Sequence, residues 1–213
     1  MSGNNELVEK LKLTGTLTSP HLIDVFIRTP RQYYLPEDKK FLEQINAPIP
    51  IGEGQTASQP QTIAYMLEHL KPKTGDRIVE IGYGSGWQTA LLAKLVYPKG
   101  HIFAYEIRKR IAEFGESNLN NNLETKYRKL ISLFQTDYTD SFAEYGPYDK
   151  IISGAAFSEK PSGLIKQLNR GGIMIFPSKL DDLRIITKIN DRKYEEDIVP
   201  GFIFVPIVHQ VID

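Results

Sequence analysis

The stretch RIVEIGYGSGWQTALLAKLV, residues 77–96, constrains the fold of this 213-residue chain more than any other. Ile78, Val79 and Ile81 describe a buried strand, and Gly82, Gly84 and Gly86 follow in a G-x-G-x-G turn. Trp87 then opens a helix on which Ala90, Leu91 and Leu95 face the sheet. Glycines let the chain turn sharply there and let a ligand approach the backbone with no Cβ in the way. The helix start at the same spot supplies free N–H donors. Strand, tight turn and helix in that order belong to a parallel α/β sheet.

The same rhythm continues along the chain. The pattern predicts helix Pro60–Leu70, strand Arg77–Ile81, helix Trp87–Val96, strand His101–Tyr105 and helix Lys109–Asn121. Strands Lys129–Phe134 and Lys150–Ser153, helix Glu159–Asn169 and strand Gly172–Phe176 come next. Two strands, Leu183–Ile189 and Phe202–Val208, then follow with no helix between them. They add an antiparallel hairpin, so the expected seven-stranded sheet is mixed, with helices on both faces. Upstream, Leu7, Leu11 and Leu13 mark one helix, and Ser19-Pro20 opens a second with Leu22, Ile23, Phe26 and Ile27 as its apolar stripe. Between Tyr34 and Pro60 lie prolines 36, 48, 50 and 60 and glycines 52 and 54. A stretch this long and this rich in Pro and Gly reads as a functional loop. The expected organisation is one domain over residues 1–213. It comprises an N-terminal helical and substrate-loop extension over 1–59, a cofactor-binding core over 60–180 and a C-terminal β-hairpin over 181–213.

Composition narrows the function. Lys plus Arg and Asp plus Glu are both 26, so the net charge is zero, and the basic excess of a nucleic-acid binder is missing. With no cysteine, thiolate catalysis and Cys-ligated metal sites are excluded. His21, His69, His101 and His209 are scattered without ligand spacing, and no metal is expected. The start, MSGNNELVEKLK, has no apolar core of a secretory signal, and no apolar run approaches membrane-spanning length. The expectation is a cytoplasmic monomer with neither membrane nor nucleic acid as partner.

The spacing around the glycine turn separates two ligand classes. A dinucleotide fingerprint needs glycine where this chain has Trp87, whose bulk disfavours a pyrophosphate against the helix start. Glu80, just before the turn, suits a cationic group such as an amino acid's ammonium. Glu106 ends the next strand 24 residues beyond Gly82, where a carboxylate takes two ribose hydroxyls. Asp137 follows the strand after that, at the place of an adenine amino group, although a loop Asp is also a common turn or cap residue. Glu80, Gly82, Gly84, Gly86, Glu106 and Asp137 together describe a site for S-adenosylmethionine. Thr56 and Ser58 stand at the entrance to the helix at Pro60, placed to hold a carboxylate. From the residues alone, Ser58 reads first as a helix N-cap.

Four segments resemble the protein-L-isoaspartate O-methyltransferase family of repair enzymes. RTPRQYYLPED resembles an early V-P-R-x-x-F-V-P-E element, PIPIGEGQTASQP the signature loop, GDRIVEIGYGSGWQTALLA the cofactor motif, and FVPIV the C-terminal strand. The resemblance implies a Rossmann-like class I methyltransferase fold and S-adenosylmethionine as cofactor. It also implies transfer of methyl to the L-isoaspartyl carboxylate of damaged proteins or peptides. Ser58 is then the active-site hydroxyl, with Thr56 beside it. The chain departs from the family pattern at Asn46, usually acidic, and at Gln61, usually aromatic or His. It departs again at Tyr138 after Asp137, usually small, and around Phe157. Two rival readings are a methyltransferase of the same fold acting on another carboxylate or a small molecule, and a non-catalytic binding module. A nicotinamide oxidoreductase is disfavoured by Trp87.

Overall fold

A computed structural model describes residues 4–209; positions 1–3 and 210–213, at the two ends of the expected domain, lie outside the described residues. Helices α1 (Asn4–Leu13) and α2 (Pro20–Ile27) come first. Two 3-10 segments and a small antiparallel hairpin, β1 (Ile49–Gly52) with β2 (Gln55–Ala57), lead into α3 (Pro60–Leu70). The main run is β3 (Arg77–Ile81), α4 (Trp87–Val96), β4 (His101–Tyr105), α5 (Lys109–Asn122), α6 (Thr125–Arg128), β5 (Ile131–Phe134) and β6 (Tyr148–Ser153). It ends with α7 (Ser162–Lys166), β7 (Leu168–Ser178), β8 (Asp182–Asn190) and β9 (Lys193–Pro200).

Seven strands form one sheet in the order β5-β4-β3-β6-β7-β8-β9. β3 to β7 run parallel, and β8 and β9 are antiparallel additions at one side. Alternate residues of the central strands feed two cores. Ile78, Ile102, Ala104, Ile152 and Ile175 face the packed helices, with Leu67 of α3 and Leu91 of α4 among their neighbours. Val79, Phe103, Tyr105, Ile151 and Met174 face the other way, against Leu164 of α7 and the rings of Tyr138, Phe142 and Tyr145. The second face is therefore covered more by aromatic turns than by helix. The helix expected over Glu159–Asn169 shrinks to α7, because Pro161 sets its start and Gly171-Gly172 belongs to a strand that already begins at Leu168.

The last expected strand is also corrected. The seventh strand is Lys193–Pro200, not Phe202–Val208. The hairpin thus spans β8 and β9, and the chain beyond Pro200 is separate from it. β9 escapes a search for apolar alternation because it is an exposed edge strand carrying Glu195, Glu196 and Asp197, the charges that protect such edges. Phe202–Val208 is apolar for another reason. It crosses the end of the sheet as an extended strap, placing Phe202 and Phe204 on one core and Ile207 on the other. Its backbone is held by a bridge at Pro206, with Ala156 N–H donating to Val205 O at 2.8 Å and Ile207 N–H to Ala156 O at 2.9 Å, and by Phe202 N–H donating to Asp181 O at 3.0 Å.

The N-terminal extension is fastened to the sheet through Trp87. This fully buried indole donates to Thr29 O at 2.9 Å and meets Phe26 edge-on at 5.6 Å. The bulk that argued against a dinucleotide is used to join α2 to α4.

Candidate active site

β3 sends the chain to β4 on one side, and β6 later returns on the other, so strand order reverses between β3 and β6. Crevices at such a reversal, beyond the strands' carboxyl ends, are where open α/β sheets bind ligands. A cleft of about 940 Å³, open to solvent, lies there. Thr56 and Ser58 reach it from the β1–β2 hairpin, Glu80, Gly82 and Gly84 from β3 and its turn, Glu106 from the end of β4, and Asp137 from beyond β5. Gly86 does not line it. A Cβ there would stand 2.9 Å from Leu119 Cγ and 3.0 Å from Gly115 O, so this glycine serves the contact of α4 with α5. All three turn glycines have positive φ, between 53° and 83°.

The two buried glutamates of the cleft are held differently. Glu106 accepts from Gly84 N–H at 3.2 Å and Arg108 N–H at 3.1 Å. Burial raises its pKa, while the backbone donors of Arg108, Gly84 and Ile107 pull it back. Glu80 lies in the middle of the sheet with no exposed surface, and Gln88 donates to its Oε1 at 2.9 Å. Its Oε2 and the buried Thr89 hydroxyl beside it form no well-aligned hydrogen bond, although the hydroxyl is close enough to act on the carboxylate. Burial pushes the Glu80 pKa up to about 7 against the pull of Thr89 and Gln88, with Glu106 adding a smaller rise.

Asp137 caps a 3-10 turn, taking the Thr139 N–H and hydroxyl on Oδ1, both at 2.9 Å. Its Oδ2 meets His209 Nδ1 at 3.0 Å, at the end of the strap. Ser58 is not the cap of α3. The N-cap is Gln59, without a side-chain cap bond, and Asn46 Oδ1 accepts the first-turn N–H of Gln61 at 3.0 Å instead. The Ser58 hydroxyl makes no hydrogen bond among the described residues and is left for the cleft.

Sequence reasoning missed several residues here. Gln88 and Thr89 meet Glu80 only because α4 folds back over β3. The strap supplies Val205–Val208 to the cleft wall, and His209 ends on Asp137. Gly115 was legible as a lone glycine inside a helix: a Cβ there would sit 2.3 Å from Gly84 O. The four departures from the family pattern fall into two touching pairs. Asn46 Nδ2 donates to Gln61 Oε1 at 2.7 Å, and the Tyr138 and Phe157 rings meet edge-on at 6.1 Å.

Sheet order, glycine turn and an acid at the end of β4 define a Rossmann-like class I methyltransferase fold. The family model described as Protein-L-isoaspartate(D-aspartate) O-methyltransferase matches residues 1–212, and the chain belongs to that family. Relatives carrying the name protein-L-isoaspartate O-methyltransferase include one from Aeropyrum pernix, 34% identical over 95% of this chain and 78% of the relative. Another, from Methanopyrus kandleri, is 33% identical over 95% of this chain and 89% of the relative. A Plasmodium falciparum chain described as a protein-L-isoaspartate O-methyltransferase, crystallised with S-adenosyl-L-homocysteine, superposes with a TM-score of 0.87 at 26% identity. That superposition covers 97% of this chain and 98% of the other.

Proposed function

We propose that this protein transfers a methyl group from S-adenosylmethionine to the L-isoaspartyl carboxylate of damaged proteins or peptides. The observation that carries the reading is convergence: the hydroxyls of Thr56 and Ser58 open onto the same cleft as Glu80, Gly82, Gly84, Glu106 and Asp137. Family membership names the acceptor. The N-terminal extension and the core act as one domain, joined through Trp87.

The residues present fit the cofactor. A fully buried carboxylate oxygen with only a poorly aligned hydroxyl beside it is costly unless a ligand completes it. An ammonium group does so with Glu80, which lines the cleft, as its acceptor. Glu106 uses one lone pair on each oxygen for the backbone, which leaves acceptor capacity for two ribose hydroxyls. Asp137 keeps spare capacity beyond Thr139 and His209 for an adenine amino group. S-adenosylmethionine, when bound, supplies an electrophilic methyl group on a sulfonium.

The chain's own residues then orient and dry. An acceptor carboxylate, pKa about 4, is ionised at neutral pH, so no general base is required. Ser58 and Thr56 donate to it and aim one oxygen along the line of attack. Ile51, Ile111, Val205 and Ile207 wall the cleft and keep water from opposite charges that cancel as the reaction proceeds. Alignment of this kind contributes up to roughly 7–11 kcal/mol.

The test is methyl transfer from labelled cofactor to matched isoaspartyl and aspartyl peptides. Labelling of the isoaspartyl peptide alone is expected. Equal labelling of both, or of neither, would refute the reading.

A further inference from the structure

Arg31 is a fully buried cation with no carboxylate partner. Its side chain has no exposed surface, and among the described residues no acid lies within ion-pair distance. Its hydrogen bonds go to backbone carbonyls. Nη1 donates to Ile45 O at 2.9 Å. Nη2 donates to Ala47 O at 3.0 Å, Ala57 O at 3.3 Å and Ser58 O at 2.9 Å. The guanidinium carbon also lies 5.6 Å from the centre of the Trp87 ring, one wall of the cleft.

Those four carbonyls bracket the β1–β2 hairpin. Ile45 and Ala47 precede β1, whereas Ala57 and Ser58 close β2 and lead to α3. One planar group therefore pins both ends of the hairpin at its base, at and just beyond its last paired residues, Ile49 and Ala57. Two of the four bonds end on Ser58 and its neighbour. A buried charge left to carbonyl dipoles and a π face is an expensive way to tie a loop, since packed apolar residues hold loops without desolvating an ion. It becomes intelligible where the loop has to be placed and not merely covered. Lysine is no substitute, because a point charge on a flexible stem cannot reproduce a fork with several donors.

We propose that Arg31 is the positioning residue of the methyl-acceptor half of the cleft, setting Ser58 and Thr56 against the acceptor carboxylate through the hairpin base. The inference rests on the acceptor reading above and adds a residue outside the cleft to it. It separates the two halves of the site: none of the hydrogen bonds of Arg31 goes to Glu80, Glu106, Asp137 or the glycine turn.

The experiment compares Arg31→Lys and Arg31→Gln with the native protein already assayed on isoaspartyl peptide. Folding is checked by circular dichroism, and binding of S-adenosyl-L-homocysteine by calorimetry. Expected for Arg31→Lys is a fall in kcat of about 100-fold, the cost of an acceptor misplaced by about an ångström, with S-adenosyl-L-homocysteine affinity within about threefold of native. Arg31→Gln keeps a planar pair of donors and should recover about tenfold of that loss. The proposal is overturned if cofactor affinity falls by the same factor as turnover. It is overturned equally if kcat per folded molecule is unchanged, or if Gln and Lys are equally impaired. Should either variant fail to fold, the native protein still decides. With S-adenosyl-L-homocysteine bound, added isoaspartyl peptide should shift the slowly exchanging Arg31 guanidinium proton signals, and indifference would overturn the proposal. Absence of methyl transfer in the native protein would instead refute the acceptor reading itself.

Discussion

The two walls of the cleft are built by opposite means. On the cofactor side Glu80, the glycine turn and Glu106 stand at the ends of parallel strands, where the sheet fixes each backbone position and backbone N–H groups fix Glu106. On the acceptor side the hairpin and the 3-10 segments have little sheet to hold them. They are tied by side chains reaching across the chain: Arg31 to four carbonyls and Asn46 to Gln61. Rigidity from the sheet suits a ligand that is always the same. Rigidity from a few replaceable side chains suits a surface that meets many acceptors.

The contrast is broken most directly at Glu106. Glu106→Ala removes an acceptor of two ribose hydroxyls and leaves the Gly84 and Arg108 donors unanswered. At about 1.5 kcal/mol or more per bond to a charged group, S-adenosyl-L-homocysteine affinity should fall about 100-fold or more in calorimetry. A loss under about threefold would remove Glu106 from the cofactor wall.

Glu80 sharpens the comparison through pH. Its pKa in the free protein is about 7, against 4.5 for the ordinary group. The folded protein thus holds a proton between those values that the unfolded chain has released. This contribution to stability is complete below about 4.5 and is lost as pH rises through about 7, up to roughly 3 kcal/mol in all. An ammonium beside Glu80 favours its ionised form, so binding releases the proton and affinity moves the other way. It should fall by up to about tenfold per pH unit below 7. Melting temperature and affinity, each compared with Glu80→Gln to remove other titrations, should show the two opposite slopes. Parallel slopes would mean that no cation sits there.

Ser58→Ala acts on the other wall. Removing an unspent hydroxyl should lower kcat on isoaspartyl peptide by about tenfold, the worth of one hydrogen bond to a charged group, and leave S-adenosyl-L-homocysteine affinity within about twofold. Equal losses in both would join the two walls into one unit.

The same contrast decides what was legible in the sequence. Strand ends announce themselves locally, by apolar runs closed with glycine or an acid, and α3, β3, α4 and β4 have the boundaries that patterning assigns. Arg31 and His209 carry no such signal. Their partners lie 14 to 27 and 72 positions away, and a lone Arg or His looks alike whether solvated or buried. Phe202–Val208 misled for a related reason: apolar residues that cross the end of a sheet repeat like those inside one. The cap expected of Ser58 was misplaced because Asn46, fifteen positions upstream of the Gln61 N–H, performs it.

The smallest effect belongs to His209. Its ring is more than half exposed although Asp137 is buried, and a pair with one partner so open to water contributes about 0.2–1 kcal/mol. The strap it ends has a separate hold, the backbone bonds on either side of Ala156, which no side chain change removes. His209→Ala should therefore shift the melting temperature by no more than a degree or two and cofactor affinity by about twofold, through the freed Oδ2 of Asp137. A tenfold loss of affinity would place the strap with the hairpin, as a segment held by a single side chain. A small one leaves it with the sheet, held by its backbone, so that side-chain fastening is confined to the loop that carries Ser58.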